Sequence, residues 1–210
     1  YADYQGLRSY RKYLRQGQGK RCKRRGCNSK RGKIPGRVGI EERPAIAAAK
    51  VEMGHWESDT VIGSNHKGVI VTHVDKTSRF LVAGLGRNKT SAQVNEVTIN
   101  LFKNIPDIQK KTMTFDNGKE FSNHAELSQR LGVSCYFANP YHSWERGLNE
   151  HTNGLLRQFF PKHTNFRAVK IEALDQVVDL INNRPRKSLD YRTPYEVFYS
   201  HKSDSDALQI

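Results

Sequence analysis

The order of apolar and polar residues between His55 and Phe137 is the feature that most constrains the fold of this chain. Residues 55–62 alternate between two faces, residues 69–74 are mostly β-branched, and residues 79–85 form a third short apolar segment. Alternation with a period of two and short β-branched runs both predict β-strands. Because only short turns separate the three segments, we predict an antiparallel meander.

Helices and strands alternate in the rest of the chain. Thr90 to Gln93 has the pattern of a capping box, and apolar residues then recur at helical spacing until Pro106. The elements follow the order of a ribonuclease-H-like α/β domain: three strands, a helix, a strand, a helix, a strand and further helices. We therefore predict a mixed five-stranded sheet flanked by helices. The later elements are predicted as strands at 112–115 and 133–137, and as helices at 121–131, 144–160 and from 171 to just before Pro185.

Positive charge is concentrated at the start of the chain. Residues 1–50 carry a formal net charge of +12, whereas residues 51–210 carry only +2. Residues 8–37 hold thirteen Lys and Arg residues and no acidic residue. Such a segment repels itself and cannot bury a core. We therefore predict a basic N-terminal arm over residues 1–50 and a folded core over residues 51–210.

The arm is predicted to bind nucleic acid. Unneutralised cations gain affinity for phosphates through the release of condensed counterions. A solvated tail and a ligand for anionic lipid remain the alternatives at this stage. The arm residues that we expect to contact DNA are Arg21, Lys23, Arg24, Arg25, Lys30, Arg31 and Lys33.

The cysteines and the hydropathy pattern bear on the compartment. Cys22, Cys27 and Cys135 are too few for a disulfide framework, and no second pair accompanies Cys22 and Cys27 as a zinc site would require. We find no apolar stretch of membrane-spanning length and no apolar leader. We therefore expect a cytoplasmic protein without a membrane partner. Tyr1 in place of an initiator methionine leads us to expect a fragment of a longer protein.

Three acidic residues stand out on the predicted frame. Asp59 lies in the middle of a strand, where β-propensity disfavours aspartate. Asp116 follows the fourth strand, which this topology places beside the first. Glu150 lies on the polar face of a predicted helix, together with Arg146, Asn153 and Arg157. Carboxylates that converge on one point repel one another unless a cation is present, and hard oxygen ligands favour Mg²⁺ or Mn²⁺.

Local patterns alone leave the choice of ligands open. Asp116 is also a typical turn residue, and Glu150 could be an ordinary surface residue of a helix. The three remaining acids near the same strands are equally possible ligands, namely Glu57, Asp75 and Glu120.

Several separated motifs resemble the bacterial DDE transposases of the insertion sequence thirty family. The similarity extends from about Arg31 to Phe198, and 33 residues separate the second and third acids of the motif. Ser58 and His151 depart from the expected pattern, in which glycine and asparagine stand at those positions. The motifs are Gly54–Asp59, Phe115–Phe121, Tyr136–Tyr141, Trp144–Gly147, Asn149–Gln158, Asn183–Leu189 and Tyr191–Pro194.

This resemblance implies a site and an activity. Asp59, Asp116 and Glu150 become the catalytic triad, with two Mg²⁺ or Mn²⁺ ions in each active site. The implied reaction is DNA strand cleavage at insertion-sequence ends, followed by transfer of the 3′-hydroxyl into target DNA. Arg146 and Arg157 are then expected to contact phosphates near Glu150.

The same resemblance implies partners and leaves alternatives. The expected partner is double-stranded DNA, both terminal inverted repeats and target, bound by a homo-oligomer. The family's helix-turn-helix region does not occur in this sequence, and we expect it to precede residue 1. A metal-dependent nuclease or resolvase of the same fold, and a catalytically silent DNA-binding protein derived from a transposase, are the alternative functions.

Overall fold

A computed structural model describes residues 34–140 and 142–206 of this chain. The core is one five-stranded mixed sheet with helices on both faces, as predicted. The strands are β1 (His55–Ile62), β2 (Val69–Asp75), β3 (Leu81–Gly86), β4 (Thr112–Phe115) and β5 (Ser134–Phe137). The helices are α1 (Ala45–Ala49), α2 (Ser91–Phe102), α3 (His124–Leu131), α4 (Gly147–Phe159), α5 (Ile171–Asn182) and α6 (Pro194–Asp206).

The strand order in the sheet is β3-β2-β1-β4-β5. β1, β2 and β3 form the predicted antiparallel meander, whereas β4 pairs parallel with β1 and β5 pairs parallel with β4. The parallel register places Glu57 opposite Thr114. The next residues along the same face, Asp59 and Asp116, therefore lie beside each other at the carboxyl end of β4.

Alternation along the strands divides the apolar core between the two faces of the sheet. On one face Trp56, Val71 and Met113 are buried with residues of α2 and α3. On the opposite face Val61 and Ile70 are buried with residues of α4 and α5. α4 is thereby fixed along the face of β1 that carries Asp59.

Each outer strand has a backbone or side-chain partner for outward groups at one position. At the β5 edge, the Phe137 N–H donates to Val38 O at 2.9 Å, and Gly39 forms a bridge with Phe137. At the β3 edge, the side-chain amide of Asn182 accepts from the Leu81 N–H and donates to the Leu81 carbonyl, both at 2.8 Å.

Residues 34–50 belong to the segment predicted as the arm, but they lie against the sheet. Arg37 Nε donates to Asn117 Oδ1 at 2.9 Å, and Arg43 Nη1 donates to Thr114 Oγ1 at 2.9 Å. These contacts hold the segment next to the carboxyl end of β4. Within the described ranges, no helix combines the length and apolar character that a membrane crossing requires.

Candidate active site

Asp59 is held in place by the elements on either side of it. Its Oδ1 accepts from the Thr60 N–H at 2.8 Å, and its Oδ2 accepts from Asn153 Nδ2 of α4 at 2.8 Å. The carboxylate of Asp116, in the turn after β4, accepts from the Gly118 N–H at 2.8 Å. Each aspartate is thus oriented by a backbone amide, and Asp59 also by a side-chain amide of the helix.

The guanidinium of Arg146 joins the two aspartates. Its Nη2 lies 3.3 Å from Asp59 Oδ1 and its Nη1 lies 3.6 Å from Asp116 Oδ2. Nη2 also donates to Ser58 O at 2.8 Å, and Nε is buried without a hydrogen-bond partner in the described structure. The two carboxylates therefore converge on one cationic group, which lies just before α4.

The charges in this cluster act on one another. Burial raises the pKa of Asp59, the positive charge of Arg146 and the Thr60 N–H lower it, and the negative charge of Asp116 raises it further. The net direction is upward, so the site disfavours the ionised form of Asp59 even with Arg146 in place. A stronger local positive charge would stabilise the ionised pair of aspartates.

Glu150 belongs to the same helix surface but is exposed. It lies one turn after Arg146 and one turn before Asn153, and both of those residues contact Asp59. Helical spacing therefore puts the Glu150 backbone on the side of α4 that faces Asp59. In the described residues no group of three His, Cys, Asp or Glu side chains is arranged to hold a metal ion. Asp59 and Asp116 both contact Arg146.

The three alternative acids all have structural partners. Glu57 Oε1 accepts from Lys76 Nζ at 2.9 Å, and both side chains are buried. Asp75 is buried and accepts from the backbone N–H groups of Gly54 and Ser78. Glu120 Oε1 lies 2.7 Å from Lys89 Nζ. These contacts stabilise turns and strands, and they hold the three side chains in structural roles.

The loop before α4 is fixed by hydrogen bonds that the sequence analysis did not foresee. Glu145 accepts from the Asn139 N–H at 2.8 Å and from His142 Nδ1 at 3.1 Å. These hydrogen bonds fix Glu145, the residue that precedes Arg146. Helical spacing placed Asn153 on the predicted polar face with Glu150, but its contact with Asp59 was not predicted.

The other predicted DNA contacts differ in placement. Arg157 Nη2 donates to Ile62 O at 2.8 Å, and its guanidinium lies 5.6 Å from the ring centroid of Phe166. Ser58 Oγ contacts His73 Nδ1 at 2.8 Å, which fits a role within the sheet. The seven arm residues from Arg21 to Lys33, together with Cys22 and Cys27, lie outside the described residues.

Comparison with known proteins finds similarity to transposases and to an integrase core domain. Residues 50–143 match the model of the integrase core domain. The chain is 47% identical over 189 residues to the transposase for insertion sequence element IS4351 of Bacteroides fragilis, covering 89% of this chain and 57% of that protein. It is 40% identical over 158 residues to the transposase InsI for element IS30A of Escherichia coli K12, covering 75% of this chain and 41% of that protein. The chain thus spans about half the length of these relatives.

Solved structures agree on the fold. The catalytic core domain of BIV integrase superposes with a TM-score of 0.56 at 22% identity, covering 71% of this chain and 96% of that one. A chain of the simian T-cell lymphotropic virus intasome in complex with the PP2A regulatory subunit B56 gamma gives a TM-score of 0.57 at 18% identity, covering 69% of this chain and 53% of that one. At these identities the likeness concerns the fold, and it confirms the ribonuclease-H-like architecture.

Proposed function

Because the chain belongs to the bacterial DDE transposases of the IS30 type, we propose that it cleaves DNA strands at insertion-sequence ends and transfers the resulting 3′-hydroxyl into target DNA. Asp59, Asp116 and Glu150 are the proposed catalytic residues. The observation that carries the proposal is the convergence of Asp59 and Asp116 on a single cationic group, 3.3 and 3.6 Å from the Arg146 guanidinium.

The donor set fits a divalent metal. Two carboxylates that already share one cation provide hard oxygen ligands of the kind that Mg²⁺ and Mn²⁺ prefer. Burial raises the pKa of Asp59, and a bound cation would offset this cost of ionisation. Glu150 is the nearest candidate for a third ligand along α4, since its neighbours one turn away on each side contact Asp59. Two metal ions held by these residues would stabilise the attacking and leaving oxygens of an in-line displacement at phosphorus.

The chain's own residues would position and hold the reacting groups. Asn153 and the Thr60 N–H fix the Asp59 carboxylate, and the Gly118 N–H fixes that of Asp116. In the first step water attacks the phosphate at the element end, the P–O3′ bond breaks, and the free 3′-hydroxyl forms. In the second step that hydroxyl attacks a target phosphate and displaces the 3′-oxygen of the target strand. No covalent bond to the protein is required.

The proposed partner is double-stranded DNA, both element ends and target. The net charge of +12 in residues 1–50 supports binding through counterion release at phosphates. Two element ends must be joined to one target, so we propose that a homo-oligomer of the chain acts on them in the bacterial cytoplasm.

The test is a cleavage and strand-transfer assay on labelled element-end DNA with a plasmid target in Mg²⁺ or Mn²⁺. We expect Asp59→Asn, Asp116→Asn and Glu150→Gln each to reduce both steps to background while DNA binding persists. The matched control is Asp107→Asn, whose side chain is 99% exposed and pairs only with the nearby Lys110 in the described structure. This control should retain full activity.

Three outcomes would contradict parts of the proposal. Full activity in one triad variant would remove that residue from the site. Activity undiminished in excess chelator would exclude the metal mechanism. Cleavage without joining would assign the chain to the nucleases or resolvases of this fold instead.

A further inference from the structure

A second concave site lies on the other side of α4 from the aspartates. It is a pocket of about 510 Å³ between α4, the end of α5, and the residues around α1. Glu57 lines it, and Glu57 precedes Asp59 by two positions on the same face of β1. Two residues along a strand span about 6.6 Å, so the pocket adjoins the proposed active site. We call it the basic pocket, after the cations that line it: Arg43, Lys50, Lys76, Arg79 and Arg186.

Positive charge in the basic pocket exceeds negative charge. The two carboxylates that line it already have partners, since Glu57 pairs with Lys76 at 2.9 Å and Glu145 accepts from His142. Among the described residues, the four other cations form no ion pair with a carboxylate. Like charges gathered around one cavity repel one another, and an anion inside it would relieve the repulsion. These four cations are Arg43, Lys50, Arg79 and Arg186.

Two of these cations are also partly removed from water. Arg43 and Arg186 are half-buried, and burial lowers the pKa of both guanidinium groups. Arg43 donates to Thr114 Oγ1, and Arg186 donates to Ile181 O, so neither contact neutralises charge. Arg186 Nε is buried without a partner in the described structure. The charges of Glu57 and Glu145 offset part of this burial cost at Arg43. An anion in the pocket would offset more of it, at Arg43 and at Arg186.

The backbone at the pocket rim fixes two of these cations. Lys50 and Arg79 both have left-handed backbone conformations, with φ of 58° and 63°. Lys50 is the C-cap residue of α1, and Arg79 follows the turn between β2 and β3. Left-handed residues are common at such helix ends and turns. Both residues line the same cavity.

We propose that the basic pocket binds a phosphate group of the nucleic-acid backbone, next to the phosphate that reacts at Asp59 and Asp116; this inference rests on the proposed function. Guanidinium groups match the geometry of phosphate oxygens and form charge-assisted hydrogen bonds with them. The volume lies within the range of sites for ligands of nucleotide size. The proposal also gives a role to the Asn183–Leu189 motif, which supplies Arg186 and Ser188 to the pocket.

The test compares two double variants of the full chain by fluorescence anisotropy with a labelled duplex, in chelator, over a series of salt concentrations. Lys50→Asn with Arg79→Asn removes two pocket charges and replaces strained residues by one that tolerates the left-handed region. The matched control, Lys103→Gln with Arg130→Gln, removes one charge just after α2 and one on α3, the helices at the opposite face of the sheet. Melting curves of both variants check that they fold.

We expect the pocket variant to reduce the slope of log K against log salt by about 0.9, the change for the one phosphate contact that is lost. The control should change the slope much less. An equal change in both variants, or none in the pocket variant, would overturn the proposal. A second arm measures the stabilisation of the wild-type chain by inorganic phosphate and by short duplex DNA. Stabilisation by phosphate that duplex DNA does not displace would identify a site for a free anion and overturn the backbone assignment.

The result can be separated from that of the proposed function. If the wild-type chain cleaves and joins DNA but the two double variants bind alike, only the pocket proposal fails. If the pocket variant loses its phosphate contacts while the wild-type chain performs neither reaction, the pocket stands and the proposed function fails.

Discussion

Replacing Arg146 by glutamine would remove the one cation that the structure places between Asp59 and Asp116. The glutamine side chain keeps a polar group near the Ser58 carbonyl, to which Arg146 donates at 2.8 Å. What is lost is the positive charge. The two aspartates then face each other without a counter-ion whenever metal is withheld.

The size of the effect follows from distance and exposure. The Arg146 side chain is 11% exposed, against 23% for Asp59 and 43% for Asp116. Unit charges about 4 Å apart attract with about 4 kcal/mol at the effective dielectric constant near a protein surface. The pair with Asp116 counts for less, because exposed pairs contribute only about 0.2–1 kcal/mol. Removing one partner of a largely buried pair leaves an unpaired charge, so we expect a loss of about 2–3 kcal/mol in chelator.

The assay is thermal unfolding with and without saturating Mg²⁺. In chelator the expected loss corresponds to a decrease in Tm of about 5–10 °C for a chain of this size. With Mg²⁺ at the carboxylates the missing charge is supplied by the metal, so the difference from wild type should fall by at least half. The variant should also bind Mg²⁺ more tightly, since no guanidinium has to be displaced. Arg130→Gln, which removes an exposed pair with Glu126 at 3.7 Å, is the control and should lose little stability.

Two results would refute this reasoning. An equal loss of stability in chelator and in Mg²⁺ would show that Arg146 acts only in packing. An unchanged Mg²⁺ affinity would show that the guanidinium and the metal do not use the same carboxylate oxygens.

Three further predictions concern other parts of the molecule. Gly54→Ala should destabilise the chain by roughly 2–3 kcal/mol in urea unfolding, because the left-handed backbone at this position adds strain. The new Cβ would also lie 3.0 Å from the Gln109 backbone. Gly132→Ala, with open space around the new Cβ, should lose less stability. Burial lowers the pKa of His73 to about 3. As the pH falls, the His73 imidazole is therefore protonated in the unfolded chain before it is protonated in the folded chain. The free energy of unfolding should decrease as pH falls below about 6.5. His73→Gln should flatten that dependence in urea titrations at a series of pH values. Deleting residues 1–33 should reduce the salt slope of DNA binding by about 0.9 per phosphate contacted, and an unchanged slope would make the arm a solvated tail.

The sheet and most helices were predictable because their signals are local. The bounds of β1 and β4 agree with the prediction, since alternation and β-branched content decide strands of this kind. The helix predicted from Phe121 begins at His124 instead, because residues 119–121 form a separate 3₁₀ turn. α6 was missed although Thr193 and Glu196 form a reciprocal capping box, at 2.7 and 3.1 Å.

The side-chain contacts of the site were less predictable, because they depend on how distant elements meet. Pairing of β1 with β4 was expected from the topology, and it brings Asp59 and Asp116 together. The position of Arg146 between them was not expected, since it depends on the angle at which the chain enters α4. The pocket on the far side of that helix combines residues as distant as Arg43 and Arg186, which no local pattern connects.

The contacts at Phe137 and Leu81, on the two outer strands of the sheet, bear on how copies of this chain can associate. An outer strand with free backbone groups is a template for adding another strand, and proteins suppress such pairing by occupying the edge. Here the Val38 carbonyl occupies one edge, and the Asn182 amide imitates a neighbouring strand at the other. Both devices act against continuous sheets that run from one molecule into the next. We therefore expect assemblies of this chain to form through helical and loop surfaces, and its sheet to resist the strand exchange that leads to aggregation.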